Sequence, residues 1–117
     1  MARTLYRIVN TNPPGEDDFK SYSQLGKRAF RQRPELERLM SGLSMLSTLE
    51  AARARGMGNP WKSRGHVAEL SLPEDERVRI EQTTSDPFHY TVWADESLLR
   101  ASIVRVVPIV EEGPHSV

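Results

Sequence analysis

An arginine interrupts an apolar stretch near the start of the chain, "TLYRIVN", where Arg7 stands between Tyr6 and Ile8. A charge inside a strand is costly to bury unless it is paired. Arg7 is therefore either turned to solvent or fixed where its planar guanidinium can grip a phosphate or diphosphate with two parallel hydrogen bonds. A second group lies in "SGLSMLSTLEAA" (41–52), where Ser44, Ser47 and Thr48 sit among apolar residues. Ser47 precedes Glu50 by three residues, the capping-box spacing, which predicts Ser47 as a helix N-cap bonded to the Glu50 N–H. Ser44 and Thr48 are left without that duty. Ser44 shares a strand face with positions 42 and 46; if that face looks into a cleft, its hydroxyl can meet a ligand. The helix that follows also offers its positive N-terminal end to an anion.

The third group is "HYTVWADESLL" (89–99). Alternation puts His89, Thr91 and Trp93 on one face and Tyr90 and Val92 on the other. These aromatics are either core or plates on which a flat ring such as nicotinamide or a base would stack. Glu69 and Glu81 fall on adjacent strands in the pattern. Each reads either as a catalytic carboxylate or as a cross-strand partner for an arginine such as Arg79 or Arg105. Other chemistries have little support. The three histidines are scattered and there is no cysteine, which disfavours a metal site, a disulfide framework and a thiol nucleophile. The glycines of "GMGNPWKSRG" follow a helix-like segment, the wrong order for a dinucleotide fold.

The elements that must position these groups follow from patterning. Residues 4–10 alternate as a first strand and stop at "NTNPPGEDD", which is turn-rich. "DDFKSYSQ" has acids early, which predicts a short helix over 17–24. Pro34 opens a second helix that closes at Gly42. Residues 42–47 are a short strand, and "STLEAARARG" a helix stopped by Gly56. Strands follow at 66–73, 78–83 and 89–94, with one helical turn capped by Asp95 and an apolar strand over 102–110. This order has no alternating βαβ rhythm. It predicts a single compact α+β domain over 1–110, a mainly antiparallel sheet with first-half helices packed outside it, and a flexible tail over 111–117.

Composition bounds the partners. At 117 residues, 38% hydrophobic, the chain suits one domain with a modest core. No run approaches the ~20 apolar residues of a membrane span, and the first residues lack the pattern of a secretory signal. A cytoplasmic protein without membrane contact is expected. The net charge is zero, but residues 1–65 carry twelve Lys/Arg against six Asp/Glu, and residues 66–117 four against ten. A basic half either attracts a phosphate-bearing ligand or a nucleic acid, or folds against the acidic half with the charges interleaved on one surface, the commoner outcome for Lys/Arg-rich helices. Its lack of interleaved aromatics makes nucleic acid an unfavoured partner.

"LYRIV" as first strand, "DFKSY" after it, and "GLSMLSTLEAARA" as strand into Ala-rich helix together resemble the ADP-ribosyltransferase fold. Its relatives include the arginine-serine-glutamate transferases, the tRNA 2′-phosphotransferases and the small bacterial RES-domain toxins. The chain also resembles a set of short actinobacterial proteins with "LYRIVNTNPP" and an "HYTVWAD"-like segment. The resemblance implies NAD as substrate, with Arg7, preceded by Tyr6, on its phosphates and the Ser44 to Thr48 strand lining the nicotinamide pocket. Tyr90 and Trp93 join them as cofactor-binding residues, and Glu81 and His89 as catalytic ones. The implied activity is ADP-ribosyl transfer or NAD degradation, as in a toxin with a protein target or antitoxin as partner. The alternative is a non-catalytic descendant that binds a nucleotide, nucleic acid or protein. No Gln/Glu-x-Glu loop is present, since "VRIEQT" has Glu81 followed by Gln82, and there is no "HGT"-type start.

Overall fold

The computed structural model describes residues 2–21, 24–25, 41–58 and 65–110. Their framework is one six-stranded, wholly antiparallel sheet. The strands are β1 (Ala2–Val9), β2 (Leu43–Leu46), β3 (His66–Pro73), β4 (Arg79–Glu81), β5 (His89–Trp93) and β6 (Ile103–Pro108). Their order across the sheet is β4-β5-β2-β1-β3-β6. Helix α1 (Leu49–Met57) lies between β2 and β3, and helix α2 (Glu96–Ala101) between β5 and β6. The first and last predicted strands thus belong to a common sheet, as part of an α+β-like arrangement. No helix among the described residues is long and apolar enough to cross a membrane.

Period-two alternation gives the sheet two apolar faces. Leu5 and Val9 of β1 join Leu43, Met45, Ala68, Leu70, Leu72 and Val92 in the larger core cluster, closed by Phe19 and by Leu99 of α2. The opposite face carries Tyr6, Ile8, Leu46, Val67 and Val107 under α1, with Ile109. Each helix therefore covers its own face. Helix α1 approaches closely because its buried residues are small, Ala52 and Gly56. A Cβ at Gly56 would stand 2.6 Å from Ile109 Cδ1, so a larger residue there would require the Ile109 side chain to shift.

Several expectations are corrected. Residues 17–24 do not form a helix among the described positions. Residues 17–19 make turns, with Asp18 N–H donating to Gly15 O (3.3 Å) and Lys20 N–H to Asp17 O (3.2 Å), and positions 22 and 23 lie outside the described residues. The cause is local: the Asp18 carboxylate accepts from the Gly15 N–H at 2.6 Å and from the Asn10 N–H at 2.9 Å, closing a loop that competes with helix. The helix expected after Pro34 and the tail over 111–117 lie outside the described residues. Glu69 and Glu81 are not on neighbouring strands, because β3 and β4 lie on opposite sides of the central pair β2-β1. β4 instead turns back to pair with β5.

The N-cap of α1 is Thr48, not Ser47. Thr48 Oγ1 accepts the Ala51 N–H at 3.0 Å. Ser47 is held one step earlier, its N–H donating to Phe88 O at 2.9 Å, so it extends the strand pairing and cannot begin the helix. Thr48→Ala should lower stability by about 1 kcal/mol, the usual cost of losing an N-cap, whereas Ser47→Ala should be close to neutral. Urea unfolding of the two variants reads this directly; equal losses would return the cap to Ser47.

Candidate functional site

β1 pairs with β3 over its whole length, from Ala2↔Pro73 to Val9↔His66. With β2 it shares one register pair, Tyr6↔Leu46. Beyond that pair the two central strands part, Arg7 to Val9 on one side and Met45 to Leu43 on the other. Strand backbone without a ladder partner leaves polar groups to be met in another way. Arg7 does this: its Nη1 donates to Ser44 O at 2.8 Å, and its Nε to Asp18 O at 3.0 Å. The guanidinium thus bridges β2 and the loop that follows β1.

A cleft of about 690 Å³ opens at this parting, within the size range of small-molecule and cofactor sites. Tyr6, Arg7, Ser44 and His89 line it, together with Lys20 and Arg55. Its apolar wall includes Ile8, Leu43 and Leu46. Among the described residues the cations Arg7, Lys20 and Arg55 border the cleft; Arg55 pairs with Asp86 at 2.8 Å, and Lys20 with Asp17 at 3.5 Å. The strand pattern thus brought Tyr6, Arg7, Ser44 and His89 to one place. Among the described residues no group of three or more His, Asp or Glu is arranged to hold a metal ion.

The remaining predicted residues stand elsewhere. Thr48 spends its hydroxyl on the α1 cap. Tyr90 faces the other side of the sheet, packed on the larger core with the Arg3 guanidinium 4.5 Å from its ring centroid. Trp93 borders a shallow hollow with Arg77, Asp95 and Leu98, and its Nε1 donates to Ser41 Oγ at 3.0 Å. Glu81 takes Arg79 Nε as an ion-pair partner on the same strand, and Glu69 takes Arg105 Nε at 3.0 Å across β3 and β6. The cross-strand arginine reading therefore holds for Glu69, whereas Glu81 pairs with an arginine of its own strand. Register nevertheless sets Glu81, Thr91 and Ser44 in one lateral row, Glu81↔Thr91 and Thr91↔Ser44. Two strand spacings separate Glu81 from Ser44, roughly 10 Å.

Electrostatics shape two of the lining groups. The Tyr6 phenol is pushed above its ordinary pKa by burial and by the facing Glu69 carboxylate, so it remains a neutral hydroxyl. His89 is 6% exposed, and its Nδ1 has no hydrogen-bond partner. Burial lowers its pKa, the Arg55 cation lowers it further, and Asp86 opposes them. The imidazole is therefore neutral near pH 7, fit to accept a proton.

This has a sign that can be measured. With a folded pKa below the unfolded value of about 6.5, the unfolded chain binds the extra proton first, so stability falls as pH drops below about 6.5. Denaturant unfolding at pH 7.5 and 5.5 should show a smaller acid loss in His89→Gln than in wild type. Parallel losses in the two proteins would mean that His89 titrates alike folded and unfolded.

Asp18, Lys20 and Arg55 escaped the reading of the sequence. The only local signal for Asp18 was its place in "GEDDF", where three acids in a row look alike. Compared with protein-family models, with curated proteins and with solved structures, the chain gives no match in any of the three.

Proposed function

We propose that the cleft between β1 and β2 binds NAD, or another ligand bearing phosphates beside a flat ring, and that the chain is an ADP-ribosyltransferase-like or NAD-degrading protein. A cytoplasmic toxin with a protein target or antitoxin is the setting this reading suits. The observation that carries it is Arg7, fixed by carbonyls from both walls at the mouth of the parting. A guanidinium held in one plane is preorganised to receive a diphosphate. Tyr6 and the apolar wall of Ile8 and Leu46 supply a surface for a ring.

In the reaction, the bond between ribose C1′ and the nicotinamide nitrogen breaks, and its electron pair leaves with nicotinamide. The oxocarbenium-like centre is captured by water or an acceptor group, whose proton passes to a base. Neutral, cleft-lining His89 suits that last role. Glu81, in the lateral row with Thr91 and Ser44 on the sheet face that also carries Glu69, is the carboxylate this reading assigns to steady positive charge.

One observation favours the second reading, a non-catalytic binding protein: Glu81 is engaged by Arg79 and does not border the cleft. Calorimetry with NAD, followed by chromatography for released nicotinamide, separates the two. Binding with release supports the enzyme, and binding without release supports the binding protein. No binding of NAD, ADP-ribose or pyrophosphate would overturn both the enzyme and the nucleotide-binding form of the second reading.

A further inference from the structure

Resting on that reading of the cleft, we infer that Asp18 is a positioning residue for Arg7: its buried carboxylate fixes the loop so that the carbonyl of residue 18 meets Arg7 Nε, and ligand affinity depends on Asp18 through Arg7. Asp18 is only 5% exposed. One carboxylate oxygen accepts from Asn10 N–H at 2.9 Å and Asn10 Nδ2 at 2.8 Å, and the other from Gly15 N–H at 2.6 Å. A carboxylate so satisfied by the N–H groups of its own loop is bound in one orientation. Its main-chain carbonyl is thereby fixed as well, and that carbonyl is the acceptor for Arg7 Nε.

The loop has a second anchor. Arg100 of α2 donates through Nη2 to Gly15 O at 2.7 Å and Glu16 O at 3.1 Å, while its Nε pairs with Glu96 at 2.9 Å. The guanidinium also lies over the Phe19 ring, 5.2 Å from its centroid. Residues 15–18 are thus held from the α2 side by Arg100 and closed on themselves by Asp18. What Asp18 adds is aim. Ser44 O secures one edge of the Arg7 guanidinium and the carbonyl of residue 18 secures Nε. Two fixed acceptors define the plane, and a bidentate grip on phosphate depends on that plane.

The experiment uses the full chain, with NAD and inorganic pyrophosphate as separate calorimetric probes. Asp18→Asn replaces one acceptor oxygen with a donor that opposes an N–H of the loop. It should weaken both probes roughly fivefold to twentyfold, the size of coupling within one hydrogen-bond network. In an Arg7→Ala background the same change should have no further effect on affinity. Equal losses with and without Arg7 would make Asp18 a general loop support and overturn the inference. A ligand-free readout runs beside it: solvent exchange of the Arg7 Nε–H, followed by nitrogen-15 NMR, should be slow in wild type and fast in Asp18→Asn. Unchanged exchange overturns the positioning role by itself, whatever the ligand. Wild type that binds neither probe overturns the cleft reading and the affinity claim together, and the exchange result then shows whether the Asp18–Arg7 link survives them. Should Asp18→Asn fail to fold, Asn10→Ala removes one donor to the same carboxylate and is measured in its place.

Discussion

Arg7→Ala should weaken NAD binding by about 1.5–3 kcal/mol, roughly 10- to 150-fold, the range for hydrogen bonds to a charged group. The physical case rests on placement. Arg7 lies on the face of β1 that carries Leu5 and Val9, both buried. Its guanidinium is led out of that core into the gap where β1 and β2 part, and Asp18 O and Ser44 O receive it there. Removing the side chain deletes a cation fixed between two carbonyls at the cleft and leaves those carbonyls to find water. Arg7→Lys separates the two effects. It keeps a positive charge, but a point-like ammonium cannot reproduce a planar fork. Its affinity should therefore fall between wild type and alanine. Calorimetry with NAD on all three proteins, with thermal melts to confirm folding, gives the answer. An affinity for NAD that Arg7→Ala leaves unchanged would remove Arg7 from the site.

How this arginine comes to face a cleft was half legible in the sequence. Strand alternation is local, so the faces of β1, β2 and β5 could be read from residue order, and the structure keeps Tyr6 opposite Arg7 and Ser44 opposite Met45. Strand order is not local. Successive segments 66–73 and 78–83 read as neighbours, yet the structure separates β3 from β4 by β1, β2 and β5. Nothing in the turn between them encodes that choice. It is made by which edges remain open once β1 has paired with β3 and β2 with β5. The gap between β1 and β2 arises in the same way. It is a property of two strands sharing a single register pair, and neither strand's pattern shows it.

Side-chain duties were decided by similarly small margins. Ser47 has the capping-box spacing, but the adjacent Thr48 is an equally good cap, and a ladder-like bond from Ser47 N–H to Phe88 O selects between them. Likewise, "GEDDF" offers three acids, and only tertiary closure onto Asn10 makes Asp18 the buried one. By contrast, Glu69 and Glu81 as arginine partners were predictable, because opposite charges on a partly exposed sheet face seek each other. Chemistry carried by a residue's type and strand parity was thus readable, and chemistry carried by a loop's closure was not.

Gly42→Ala should destabilise the protein by about 1–3 kcal/mol, the usual cost of forcing an extra methyl group into packed surroundings. Gly42 is buried at the start of β2 and borders the cleft. A Cβ there would overlap Thr91 Cγ2 and stand 2.8 Å from Trp93 Cε2, distances at which something must move. Neither neighbour yields easily. Thr91 Oγ1 is hydrogen-bonded to Thr83 Oγ1 at 2.6 Å, and Trp93 Nε1 to Ser41 Oγ at 3.0 Å. Accommodation would tilt β2 away from β5 or lift the indole from Ser41. The melting temperature should fall by about 5 °C or more, with a change in tryptophan fluorescence. The mechanism has its own test in Thr91→Ser, which removes the obstructing methyl and keeps the hydroxyl for Thr83. If steric overlap is the cause, Gly42→Ala combined with Thr91→Ser should be less destabilised than the two single variants added together. Strict additivity would mean that the loss at Gly42 comes from its backbone, and that β2 is not wedged against β5 by the face that frames the cleft.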